Sequence, residues 1–163
     1  MALKFTVAFQ PGQTSFRLSG NIDERVGPTL AEIRRRVVGQ RVVFDCDGLG
    51  TVNSVGVAAW LTEIQDFAKL TLIFVNCPSP FIGTCLLVPG FILGGTIESL
   101  YVRYACVGCA RGEGKTVLIE RADVLSRGGL GPRPCPHCGG SMTSDEDEGD
   151  LLDLLSGGRD KAA

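Results

Sequence analysis

Two Cys-x-x-Cys knuckles constrain this chain more than any other feature. They are Cys106-Val-Gly-Cys109 and Cys135-Pro-His-Cys138, with 25 residues between them. Each knuckle turns tightly and aims two sulfurs at one point. Two such pairs bring four thiolates within reach of a single ion, and Zn²⁺ favours a closed, tetrahedral, sulfur-rich shell. The spacing is that of a zinc ribbon. The expectation is one structural zinc per chain, held by Cys106, Cys109, Cys135 and Cys138. Four sulfurs leave no open position for water, so the site is structural and not catalytic. His137, the single histidine, lies inside the second knuckle and is read as facing solvent.

Rival uses of these cysteines fit less well. Two disulfides would need an oxidising compartment. The segment Met1 to Thr6 has no apolar run of the secretory kind, so a cytoplasmic location is expected. Seven cysteines is an odd number. Cys46, Cys77 and Cys85 remain after the knuckles, all in apolar surroundings where a free cysteine acts as a small buried hydrophobe. Cys135-Pro-His-Cys138 also resembles a thioredoxin-type dithiol, but that chemistry wants its first cysteine at a helix N-terminus. Here Gly-Pro-Arg-Pro precedes it and Gly-Gly-Ser follows.

Charge divides the chain. Residues 1–104 carry nine Lys/Arg and eight Asp/Glu, and residues 105–140 carry five and three. Residues 141–163 carry two and seven, centred on Asp145-Glu146-Asp147-Glu148. Like charges with little apolar surface predict a disordered acidic tail over 142–163. A net charge of −2 argues against nucleic acid as the partner of the whole chain. No apolar run reaches the length of a membrane span.

The first hundred residues alternate strand and helix signals. Phe5, Val7 and Phe9 alternate with polar residues, Pro11-Gly12 marks a turn, and Ser15 to Ile22 reads as the partner strand of a hairpin. Gly27-Pro28 opens a helix with Leu30, Ile33 and Val37 at helical spacing. Arg41 to Phe44 and Thr71 to Val75 read as short buried strands. Between them Val57, Trp60, Leu61, Ile64 and Phe67 line one face of a second helix, and Pro78-Ser79-Pro80 leads into a third. Strands alternating with helices predict an α/β fold, a sheet covered by helices.

The stretch from Phe44 through Asp45, Gly48, Asn53, Ser54, Val55 and Gly56 to Val57 resembles the signature of STAS domains, the anti-sigma factor antagonist family. In that family a buried strand ends in Asp, a glycine-containing turn follows, and Asp-Ser-Ser-Gly opens the second helix. Leu18-Ser19-Gly20-Asn21-Ile22-Asp23 resembles the family's Leu-x-Gly-x-(Leu/Ile)-Asp segment at the expected distance. The resemblance spans roughly residues 3–104. It implies a STAS-like mixed sheet and a partner-binding surface at Asp23, Asn53, Ser54, Val55 and Gly56. It also implies a switch: phosphorylation of Ser54 by a serine-kinase anti-sigma factor, reversed by a PP2C-type phosphatase. The family's Asp is Asn53 here, and its second Ser is Val55. A plainer duty is open to the same residues, since Ser or Asn before an apolar helix is an N-cap. Asp23 and Asp45 are read as turn residues bonded to backbone.

Gly112-Glu113-Gly114-Lys115-Thr116 echoes a phosphate-binding loop, but Cys109 stands where that motif needs glycine. It is read as the turn of a ribbon hairpin. With one histidine, held in a knuckle, no hydrolase triad is available. The expectation is a STAS-like domain at 1–104, a zinc ribbon at 105–141 and a tail at 142–163. The function expected is protein–protein signalling, with no catalysis and no small-molecule substrate. A constitutive adaptor is the second reading. A third is a ribbon contacting nucleic acid through Arg111, Lys115, Arg121, Arg127 and Arg133, which no aromatic between the knuckles supports.

Overall fold

The computed structural model describes residues 1–109 and 114–158. Alternating apolar residues set the first hairpin: β1 (Lys4–Gln10) pairs antiparallel with β2 (Gln13–Ile22) across the two-residue turn Pro11-Gly12. Gly12 takes the left-handed φ of 73° that this turn requires. Three strands follow, each parallel to the one before: β3 (Arg41–Val52), β4 (Thr71–Val75) and the short β5 (Thr96–Ile97). The sheet order is β1-β2-β3-β4-β5. Its parallel steps need crossovers, supplied by α1 (Val26–Arg36), α2 (Ser54–Ile64) and α3 (Ser79–Leu87).

Aromatic residues in register unite the sheet. Phe16 of β2, Phe44 of β3 and Phe74 of β4 are direct cross-strand partners, with ring centroids 6.0 and 5.3 Å apart. Phe67, just past α2, packs on Phe44, and Phe81 of α3 packs on Phe74. Trp60 of α2 stacks on Phe91, and its indole N–H donates to the Phe91 carbonyl at 2.7 Å. All these side chains are fully buried. Each contributes about 1.5–3 kcal/mol by leaving water.

A second, antiparallel sheet follows in the order β7-β6-β9-β8. Its strands are β6 (Ser99–Cys106), β7 (Lys115–Glu120), β8 (Arg133–Pro134) and β9 (Ser141–Ser144). A short helix, α4 (Arg121–Arg127), lies between the knuckles. The start of β6 is bonded to the chain just past β4: Cys77 donates to the Ser99 carbonyl at 3.1 Å, and Tyr101 donates to the Cys77 carbonyl at 2.9 Å. The expected boundary at 104/105 therefore falls inside β6. The apolar core is continuous from one sheet to the next.

The expectation of a disordered acidic tail fails over 142–158. That stretch holds most of β9 and then α5 (Glu148–Ser156), whose Leu151, Leu154 and Leu155 are buried. The acidic residues help to start this helix. Asp147 caps it, accepting from the Asp150 N–H at 3.0 Å, and Glu148 and Asp150 sit in its first turn, where the helix dipole favours negative charge. Gly157 ends it in the left-handed conformation. Arg121 of α4 donates to the Leu155 carbonyl at 2.7 Å. Residues 159–163 lie outside the described residues. Among the described residues no helix is long and apolar enough to cross a membrane.

Candidate metal centre and helix N-terminus

The second sheet gathers the four knuckle cysteines. Cys106 is the last residue of β6, and Cys109 follows in the turn. Cys135 follows β8, and Cys138 precedes β9. The second knuckle is closed by backbone bonds from Cys135 to the Gly140 carbonyl, 2.6 Å, and from Gly139 to the Cys135 carbonyl, 2.9 Å. Further backbone N–H groups point at sulfur: His137 to Cys135 Sγ and Gly140 to Cys138 Sγ, both at 3.4 Å. These donors favour thiolate. The N–H groups of His137 and Cys138 hold the Cys135 thiol down to about 6.

Distances between sulfurs test whether this donor set suits a metal. A tetrahedral ion with sulfurs at about 2.3 Å needs them about 3.8 Å apart. Cys106 and Cys138 are 3.5 Å apart, and Cys109 and Cys135 are 3.8 Å apart. All four sulfurs lie within 4.8 Å of one another. The four cysteines lie close enough to hold one metal ion. His137 is exposed, as the sequence implies.

The residues carrying the STAS resemblance meet at the C-terminal ends of β2 and β3. The Asn53 N–H donates to the Ile22 carbonyl at 3.1 Å, joining the two motif segments. Asn53, not Ser54, caps α2: its side-chain oxygen accepts from the Gly56 N–H at 2.7 Å. Ser54 and Val55 are exposed in the first turn. The Ser54 hydroxyl has no hydrogen-bond partner among the described residues. Gly56 is buried. A β-carbon there would run into the Ile22 carbonyl and the Asp23 backbone, so this glycine serves helix–strand packing and offers a partner no surface. Asp23 is also largely buried, its carboxylate accepting from the Arg25 guanidinium and from the Arg25 N–H at 3.0 Å. Arg25 holds that carboxyl down to about 2, chiefly through its side-chain hydrogen bond. Of the five expected contact residues, three face solvent and two support them from below.

Asp45, expected in a turn, lies instead within β3, which runs on to Val52; its carboxylate accepts from the Asp47 N–H at 3.2 Å and from the Asn76 side chain at 3.0 Å. Sequence gave no sign that Tyr101 of β6 would donate to Asp47 at 2.7 Å, a link across 54 residues. Nor did it mark Arg25 as the partner of Asp23. Cys46, Cys77 and Cys85 are buried as expected. Burial first, and then Cys46, pushes the Cys77 thiol up. Lys115 and Thr116 open a strand, not the helix of a phosphate loop, while Gly112 and Glu113 lie outside the described residues. So does Arg111. Of the other basic residues, Arg121 holds α5, and Arg133 lies over the Tyr104 ring at 5.4 Å. No protein-family model matches this chain, and no curated protein matches it.

Proposed function

We propose that this chain is a regulatory protein–protein interaction module of the anti-sigma factor antagonist type, switched by phosphorylation of Ser54. One observation carries the reading. Ser54 presents an unbonded, exposed hydroxyl at a helix N-terminus whose capping is already done by Asn53. A phosphate on Ser54 would meet the free N–H groups and positive dipole end of α2. It would add about −1.5 to −2 charge to the surface formed by Asn53, Ser54 and Val55. A docked partner would have to desolvate that charge, and an unpaired buried charge is costly. The partners that the STAS resemblance implies are a serine-kinase anti-sigma factor, released by phosphorylation, and a PP2C-type phosphatase. Zn²⁺ is the ion that best suits the four thiols. It would tie the end of β6 to the β8–β9 turn as a structural cross-link.

Intact mass of protein purified from its own host tests the switch, with the added phosphoryl expected on the peptide containing Ser54. Ser54→Asp should weaken partner binding, and Ser54→Ala should leave it constitutive. If both variants bind every identified partner like the parent, the protein is a constitutive adaptor and Ser54 is no switch.

A further inference from the structure

Among the described residues no strand pairs with the outer edge of β1. Natural edge strands are blunted by lysine and other charged side chains, proline, bulges, inward charges or brevity. Lys4–Gln10 has seven residues paired with β2 without a register shift, no proline, and Lys4 as its one charge. Beside it runs a groove of about 350 Å³, walled by Leu3, Phe5 and Val7 below and by Thr29, Glu32 and Arg36 of α1 above. Arg36 lies over the Phe5 ring at 5.8 Å and is paired with Glu32 at 2.9 Å, so the rim carries no unbalanced charge. Four residues on, Phe9 stands 59% exposed on the same face.

We infer that this edge is a strand-pairing surface for a second copy of the chain, β1 joining β1 antiparallel about a two-fold axis at Val7. Backbone parity allows that register, and centring on Val7 overlaps all of Lys4–Gln10. A two-residue turn makes Gln10 and Gln13 a hydrogen-bonded pair, and such pairs alternate along an antiparallel ladder. The N–H and C=O of Phe5, Val7 and Phe9 are therefore turned outward. Centred on Val7, the outward groups of one copy meet those of the other. Phe9 comes opposite Phe5 of the second copy and covers its groove, and the exchange happens twice by symmetry. Charge agrees: Lys4 comes opposite Gln10, so no like charges meet, and residues 5–10 carry none. The helix-covered faces of both sheets then form one continuous layer.

Sedimentation of the zinc-loaded full chain, from micromolar to several hundred micromolar, tests this. The mass should rise from 17.3 kDa towards twice that value. Phe9→Lys changes an exposed side chain, so it should keep the fold while weakening the dimer at least about tenfold. Val7→Pro, which removes an outward N–H, should act the same way. Amide exchange at Phe5, Val7 and Phe9 should slow with rising concentration while Thr6 and Ala8, bonded to β2, stay unchanged. A chain that is monomeric throughout overturns the inference. So does a dimer that Phe9→Lys leaves intact, or one formed without protection of those three amides.

Discussion

At residue 53 the backbone decides between two equally good capping side chains. Asn53 has the extended φ of −111° and ψ of 165° of an N-cap, and Ser54 is already helical. Asn53→Ala should therefore cost about 1 kcal/mol, the usual loss for such a cap. Ser54→Ala should stay within about 0.5 kcal/mol of the parent, as exposed substitutions do. Urea melts of the two variants check this, and equal losses would return the cap to Ser54. The helix start was legible in sequence, but the division of labour between Asn53 and Ser54 was not. Serine and asparagine both suit the cap, and only the backbone angles choose. Gly56 was legible as a special position for the wrong reason. Its missing side chain makes room for the chain's own Ile22 carbonyl.

Whole elements divide into those with strong periodicity and those that depend on distant partners. β1, β2, α1 and α2 were readable because their apolar residues repeat every second or every third and fourth position, and β4 and the first four residues of β3 because they are short apolar runs; α3 was marked by its prolines, and Asp45 to Val52, expected as a turn, extend β3. The four cysteines were readable because their spacing is itself the geometry. α5 was not, because its acidic residues outweighed four leucines in composition. Leu151, Leu154 and Leu155 stand at i, i+3 and i+4, and they found α3, α4 and β5 to cover. Composition measures how much apolar surface a segment carries, but not whether a complementary face is waiting elsewhere in the chain. α4 went unread because seven residues with one buried valine give no period to detect. α5 should be a structural element and not a dispensable tail. Leu155→Ala should destabilise the protein by about 2–5 kcal/mol, as large-to-small changes at buried sites do. Asp153→Asn, on the exposed side, should have little effect. Thermal melts compare the two, and an unaltered midpoint for Leu155→Ala would mean that α5 is not docked.

For the whole molecule, the question is how far the influence of the proposed metal centre would reach. Binding of a structural zinc contributes about 10–16 kcal/mol of apparent free energy, as much as the stability of an entire domain. The short pairs that flank the thiols cannot replace it: β8 has two residues and β9 four. The first sheet, in contrast, has its own aromatic core of Phe16, Phe44 and Phe74. Chelation should therefore divide the molecule within a single strand. The N-terminal half of β6 is held from the other side, by the bonds that Cys77 makes to Ser99 and Tyr101 and by the Tyr101 hydroxyl on Asp47. Its C-terminal half, Tyr104 to Cys106, pairs with β9 and ends in a candidate ligand. On stripping the metal under reducing conditions, amides of β8, β9 and residues 104–106 should exchange fast. Those of β1 to β4 and of Tyr101 should remain protected. Re-adding zinc should restore them all, with about one ion taken up per chain. Loss of protection across both sheets at once would show that the two share one cooperative transition. Protection unchanged on both sides of β6 would show that the four thiols hold no structural ion.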